Sequence, residues 1–337
     1  MICYNSGREV GCFDREGAVI LDNEGRLGAA LSGDYMTYPR KFASYRWFWP
    51  VLVGILFLFF YVNFQGIILM GYAFIFGAES FDQVASGGYY ESMNFFDNPQ
   101  VIVSMVLVAA MLPCLALASC IVKDRPFSSY SSSRGNGWSW RLFSRCLVVS
   151  FLVLGLELLF SLILTFLSDA ENVEVRFNLL GLFLIVGIVP FQCLAEEYVF
   201  RGFISQTLAS WTRLPIVGVI VPSLMFAALH PYNLIGVVNI FLDGAVFSLL
   251  AWRTKGLEAS SAFHIVSNVQ AFLLTAVHFA GEKTSGISSE VSVFSASVGV
   301  ATILVYMVCI FVIMRKKPDW FECVDGHKAE RSVNFSN

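Results

Sequence analysis

The sequence predicts an all-α membrane protein that crosses the lipid bilayer about eight times. Of its 337 residues, 56% are hydrophobic and only 14% are charged, and the mean hydropathy is +0.67. Soluble globular chains contain about 25% charged residues, so this composition is typical of the membrane class. Apolar segments of roughly 20 residues, the length that a helix needs to cross a bilayer, recur along the chain.

Eight apolar segments are candidates for the membrane-spanning helices. In chain order they cover residues 47–77, 101–122, 146–168, 178–208, 214–230, 233–252, 257–281 and 291–314. The fourth is longer than a bilayer requires, and the fifth is at the lower limit. The predicted parts of the chain are a cytoplasmic N-terminal segment (1–46), three helices (47–177), a central group of helices (178–281), and the last helix with a cytoplasmic tail (282–337).

Basic residues predict which side of the membrane each loop faces, because lysine and arginine are concentrated in cytoplasmic loops. Arg40, Lys41 and Arg46 precede the first helix, the loop 78–100 has no basic residue, and the next loop has several. This alternation continues along the chain, so we expect a multi-pass cell-membrane protein with both termini in the cytoplasm. The serine-rich run 128–137 is predicted to be a flexible cytoplasmic loop.

Charge and cysteine content argue against three classes of protein. The net charge of −3 indicates no nucleic-acid partner. The eight cysteines are scattered without a C-x-x-C pair, and most lie in apolar runs, where cysteine is usually a small buried hydrophobe. Neither a disulfide framework nor a thiol enzyme is indicated.

Polar side chains collect inside the later predicted helices. They are two acids, an arginine, two histidines and an amide: Glu196, Glu197, Arg201, His230, His264 and Asn268. The pairs Glu197–Arg201 and His264–Asn268, and also Phe226–His230, are each spaced four residues apart and so share one helix face. Polar residues in hydrocarbon are costly, and a group of them at overlapping depth indicates a functional site.

Depth along the helices supports this convergence. At a rise of 1.5 Å per residue, Glu196 and Asn268 both lie about 18 Å from the cytoplasmic ends of their helices. His230 lies deepest, at about 25 Å. A tilted or re-entrant fifth helix would close this difference in depth, whereas straight parallel helices would fit less well.

A structural interpretation applies to each polar residue taken singly. A membrane histidine can simply bond between helices, and Glu197 with Arg201 could be a structural ion pair only. Phe226 is predicted to pack in the core. Two further acids at depth, Glu157 and Asp243, are predicted to form hydrogen bonds between helices.

Taken together, the polar residues have the groups that amide hydrolysis requires. A carboxylate held away from bulk water can act as a general base, and a histidine can share the proton and later give it to the leaving amine. An asparagine amide and a second imidazole can donate hydrogen bonds to the developing oxyanion. The chain has no G-x-S-x-G motif, which makes a covalent acyl-enzyme less favoured.

Three ordered motifs resemble those of the CPBP family of membrane proteins. They are E-E-x-x-x-R (Glu196, Glu197, Arg201), F-x-x-x-H (Phe226, His230) and H-x-x-x-N (His264, Asn268). This family includes CAAX prenyl proteases and proteins of bacteriocin processing or immunity, and the resemblance covers about residues 178–270. It implies that residues 178–281 form the catalytic core of an eight-helix intramembrane glutamate protease, whose cavity opens to the cytoplasm.

The resemblance also implies a role for each motif residue. Glu196 would activate water together with His230, and Glu197 would support the site and pair with Arg201. His264 and Asn268 would form the oxyanion hole. Phe226 would be a supporting residue.

Two alternatives and the substrate stay open at this point. In the first alternative, Glu196, His230 and His264 bind zinc, which commonly takes three protein ligands and a water. No H-E-x-x-H motif is present, and the resemblance implies a reaction without a metal cofactor. In the second, the chain is a non-catalytic membrane partner, such as a bacteriocin-immunity protein. A substrate would be a peptide or a membrane-protein segment, for example a prenylated CAAX peptide or a bacteriocin leader.

Overall fold

The computed structural model describes residues 2–5, 10–13, 19–21, 34–77, 94–96, 101–135, 137–167, 173–279 and 290–321, and most of these residues are helical. A π-helical segment, Glu197–Ile204, joins α6 to α7. The helices are α1 (Trp49–Phe76), α2 (Ile102–Ala109), α3 (Met111–Val122), α4 (Ser128–Ser131), α5 (Trp140–Leu167), α6 (Leu179–Glu196), α7 (Ser205–Thr212), α8 (Pro215–Ala228), α9 (Leu234–Thr254), α10 (Glu258–Leu274) and α11 (Val293–Lys316).

The protein is an all-α polytopic membrane protein with two small sheets outside its long helices. Strands β1 (Ile2–Asn5), β2 (Val10–Phe13) and β3 (Val19–Leu21) form an antiparallel sheet in the order β1-β2-β3. Strand β4 (Val173–Val175) precedes α6 and pairs antiparallel with β5 (Val277–Phe279), which follows α10. This second pair connects the ends of two helices that bear motif residues.

Each of the eight predicted segments contains a helix, but only some of these helices are long enough to cross a bilayer. Among the residues described, six are long and apolar enough: 49–76, 102–122, 140–164, 179–212, 234–254 and 293–316. Helix α8 has 14 residues and α10 has 17. The fifth segment is therefore as short as the sequence indicates, and its helix ends before His230.

Helix boundaries follow local sequence signals. Asn178, Asn233 and Ser292 each cap a helix by accepting a hydrogen bond from a backbone N–H of the first turn. Pro113 lies in the first turn of α3, where proline is tolerated, and its ring would clash with the carbonyl of Ala109, the last residue of α2. The break between α2 and α3 therefore has a steric cause.

Helix α10 lies inside the bundle. It packs against α5, α6 and α9, and its C-terminal half contacts the cluster that contains Ile185, Val189 and Phe272. On its other side, Phe263 packs with Phe247 of α9 and Tyr306 of α11. The first residue of the first motif, Glu196, and the whole third motif therefore lie on two helices, α6 and α10, that pack against each other.

The part of the N-terminal segment around residues 35–39 is packed onto the bundle. Tyr35 and Met36 are fully buried, in a cluster with Ala209, Val219 and Leu257. This part of the N-terminal segment therefore acts as a cap over α7, α8 and the start of α10.

The serine-rich run is packed rather than free, so the prediction of a flexible loop is wrong. Ser131, Ser132 and Ser133 are all buried. The Ser133 N–H donates to the carbonyl oxygen of Lys255 at 3.0 Å, and the Leu257 N–H donates to that of Ser131 at 2.9 Å. The buried hydroxyls have partners as well, since Ser131 donates to the carbonyl oxygen of Ser128 at 2.7 Å and Ser132 to that of Lys255 at 3.1 Å.

Candidate active site

The first motif lies where regular α-helix changes to π-helix. Glu196 is the last residue of α6, and the N–H of Ser205 bonds to the carbonyl of Phe200, five residues back. The single regular helix predicted over residues 178–208 is thus interrupted. Short π-helical stretches inside α-helices are frequent at functional sites, because they change the direction in which side chains point.

Glu197 is the centre of a buried polar cluster. Its Oε1 lies 3.1 Å from Nη1 of Arg201 and 3.0 Å from Nδ1 of His264. All three side chains are at least 95% buried. A buried carboxylate requires such partners, since an unpaired buried charge is strongly destabilising. The predicted pair Glu197–Arg201 is present, and it extends to the third motif.

His264 lies between the two glutamates. While its Nδ1 contacts Glu197, its Nε2 lies 3.4 Å from Oε2 of Glu196. Ionised carboxylates only accept hydrogen bonds, so both ring nitrogens act as donors when both acids are charged, which is the imidazolium form. The sequence did not indicate that one imidazole would connect Glu196 with Glu197.

Arg201 is enclosed by two aromatic rings and by Gly244 of α9, which has no side chain. Its Cζ lies 4.4 Å from the ring centre of Phe226 and 5.1 Å from that of Phe247. A Cβ added at Gly244 would lie 3.3 Å from Nη2 of Arg201. The phenylalanine of the second motif therefore packs in the core, as predicted, and also covers the cation of the first motif.

His230 lies in the turn after α8, so the helix predicted to extend to His230 ends before it, although Phe226 and His230 still lie side by side. The imidazole instead bonds back to its motif partner, with Nδ1 at 2.8 Å from the carbonyl oxygen of Phe226. A carbonyl oxygen only accepts, so Nδ1 bears the proton and Nε2 of the neutral ring is free to accept one. The ring centre lies 4.7 Å from that of Phe226, which also borders His264.

Asn268 lies one turn beyond His264 on α10 and contacts Gln192, a residue that sequence analysis missed. The Asn268 amide nitrogen lies 3.5 Å from Oε1 of Gln192, which is buried on α6. Gln192 precedes Glu196 by four residues, so it shares the face of α6 that bears this acid. That spacing was the signal available in the sequence.

The two remaining acids at depth behave differently. The Gln270 amide donates to Oε2 of Glu157 at 2.7 Å, which is the predicted bond between helices. Asp243 accepts from Asn239 at 3.0 Å, and both residues lie on α9. For Asp243, the bond in the structure is therefore within one helix rather than between two.

The described residues do not fit a three-ligand zinc site. Among them, no group of three His, Cys, Asp or Glu side chains is arranged to hold a metal ion. His264 directs both ring nitrogens at glutamate oxygens. The zinc hypothesis would require His264 to give up one of these contacts.

Fold and site together define a polytopic helical membrane protein with a buried glutamate–histidine–arginine cluster. Residues 177–270, which contain all three motifs, match the family model described as type II CAAX prenyl endopeptidase Rce1-like. No curated protein and no solved structure matches the chain.

Proposed function

We propose that this protein is an intramembrane endopeptidase that uses a water molecule activated by Glu196. The observation that supports the proposal most is the contact of one imidazole, His264, with both acids of the first motif. This arrangement gives the two glutamates different tasks. Glu197 is held by two donors, whereas Glu196 has the longer contact and is freer to take part in proton transfer.

In the proposed reaction, Glu196 takes a proton from water while the water oxygen bonds to the carbonyl carbon of the substrate. His230 shares that proton through Nε2, because its Nδ1 is already bonded to Phe226. The proton then moves to the amide nitrogen, the C–N bond breaks, and a free amine and a new carboxyl terminus leave. No covalent enzyme intermediate is required.

The oxyanion of the tetrahedral intermediate is proposed to accept hydrogen bonds from His264 Nε2 and the Asn268 amide. Glu197 holds the opposite edge of the imidazole, so Nε2 can face the substrate while Nδ1 remains bonded. Gln192 restrains the Asn268 amide. A single donor of this kind typically contributes about 10²–10³ in turnover.

The proposed substrate is a peptide or a membrane-anchored protein segment that enters the cavity from the cytoplasmic side. Both termini of the protein are proposed to face the cytoplasm, from the distribution of basic residues. Left-handed residues that end three helices, Lys123, Arg213 and Lys255, are all basic, which supports placing these helix ends at that surface.

The proposal can be tested with purified protein in liposomes and a defined set of peptides. The set should contain a farnesylated peptide with a C-terminal Cys-aliphatic-aliphatic-X sequence, its unprenylated twin, and peptides of single membrane spans. We expect mass spectrometry to find one internal cut in at least one class, and this cleavage should persist with EDTA or o-phenanthroline. Loss of cleavage with chelator and recovery on adding zinc would support the metalloprotease hypothesis instead.

A further inference from the structure

Asp243 is a third acid beside the cluster, and the proposed reaction does not use it. It lies on α9, is partly buried, and has the Asn239 amide as a hydrogen-bond donor at 3.0 Å. Keeping a carboxylate at this depth is costly unless its charge is used or compensated.

The face of α9 that bears Asp243 packs directly on the cluster. Gly244, the next residue, lies against Arg201 and leaves room for its guanidinium. Phe247, one turn further on, stacks on the ring of His264, with 5.0 Å between ring centres and 22° between planes. Asp243 therefore lies on the part of α9 whose next residue contacts Arg201 and whose next turn contacts His264.

The titratable and charged groups around His264 come from several packed elements. Glu196 and Glu197 contact the His264 ring from α6 and the π-helical segment, and Arg201 lies on the far side of Glu197. Cys193 contacts the backbone carbonyl of His264, and Asp243 lies on α9, one turn before the ring of Phe247 that stacks on His264. The titratable groups of the other packed helices are engaged elsewhere: Glu157 of α5 bonds Gln270, and Tyr306 of α11 donates to the carbonyl of Ala259.

Because Nδ1–H of His264 is bound by Glu197, Nε2 can donate to an oxyanion only when the ring is doubly protonated. We infer that Asp243 is a positioning residue of this site, whose negative charge helps Glu197 to keep His264 doubly protonated during hydrolysis. This inference rests on the proposed function, and it assigns to α9 a part in the site that none of the three motifs includes.

The kinetic test uses Asp243→Asn, which keeps the shape and the bond to Asn239 but removes the charge. Without that charge, His264 should lose its second proton at lower pH, so the alkaline limb of the kcat–pH profile should shift down by about one pH unit. On that limb kcat should fall about tenfold, since one pH unit is tenfold in the protonated fraction, while KM stays within about twofold. Asp243→Glu should restore most of the profile.

Glu157→Gln is the matched control, because Glu157 is also an acid at depth with an amide partner but lies outside the cluster. It should leave the profile in place. A profile of Asp243→Asn that superimposes on that of the unmodified protein would overturn the inference, as would an equal shift in Glu157→Gln.

A second measurement separates this inference from the proposed function. Thermal unfolding in detergent of Asp243→Asn, His264→Gln and the double variant measures their coupling without any substrate. Non-additive changes in the unfolding midpoint are expected. If no peptide is ever cleaved, the proposed function fails, while this coupling still tests the interaction inferred between Asp243 and His264. Strictly additive changes would overturn the role of Asp243.

Discussion

At the scale of single residues, the site depends on one oxygen atom. Oε1 of Glu197 forms an ion pair with Arg201 and accepts a hydrogen bond from His264, whereas Oε2 is buried without a hydrogen-bond partner among the described residues. The carboxylate is therefore compensated on one side only. Loss of either Arg201 or His264 would therefore leave the buried Glu197 carboxylate with a single partner.

Glu197→Gln and Arg201→Gln should therefore both destabilise the protein, each by about 3–5 kcal/mol, the usual effect of breaking a buried ion pair. The double variant should lose less than the sum, because the two changes remove the same interaction. Chemical unfolding in detergent measures this, with Arg253→Gln, an exposed arginine at the end of α9, as the control. Additive losses would show that the two residues are independent.

The sequence predicts the members of this cluster better than its connections. The three motifs contain Glu196, Glu197, Arg201 and His264, and the four-residue spacing correctly indicates the ion pair. The contact of His264 with both acids joins α6 to α10 across many residues, and no local pattern encodes it.

At the scale of elements, the start of α10 is fixed by a buried ion pair between Glu258 and Arg134. Oε1 of Glu258 accepts Arg134 and also the Ser139 N–H at 2.7 Å, and Arg134 donates to the carbonyl of Thr254 at 2.7 Å. An acid in the first turn also interacts favourably with the helix dipole. These contacts hold the helix that positions His264.

Arg134→Gln should therefore leave the buried Glu258 uncompensated and lower stability by about 3–5 kcal/mol. The turn between α9 and α10 would loosen, so peptide cleavage should fall along with the unfolding midpoint. Lys123→Gln, at an exposed helix end, is the control for loss of one positive charge. Unfolding of Arg134→Gln at the midpoint of the unmodified protein would contradict the role given to this pair.

Two elements differ from prediction because long-range contacts override local sequence. The run 128–137 has the composition of a loop, yet Arg134 and its neighbouring serines bind the distant turn before α10. In the π-helical segment, a Cβ at Gly202 would lie only 3.0 Å from the carbonyl oxygen of Tyr130. The loop around Tyr130 therefore packs closely against the segment that bears the first motif. Helix propensity does not describe such a contact.

At the scale of the whole molecule, hydropathy predicts the helices but not the turn that places His230 beside Phe226. All eight apolar segments form helices, yet α8 at about 21 Å is shorter than the roughly 30 Å of a bilayer core. Because α8 ends at Ala228, the turn after it can bring His230 back to the carbonyl oxygen and the ring of Phe226. Charge patterns and apolar runs do not specify such a turn.

The central claim is that the carboxylate of Glu196 drives hydrolysis, and comparing Glu196→Gln with the unmodified protein tests it most directly. In liposomes, with a peptide that the unmodified protein cleaves, we expect Glu196→Gln to bind the peptide with similar affinity but to lose at least about 10²-fold in turnover, since a base is removed while shape is kept. Glu157→Gln should cleave normally. Cleavage by Glu196→Gln at the unmodified rate would contradict the mechanism, and an unchanged cellular function in that variant would favour a non-catalytic membrane partner.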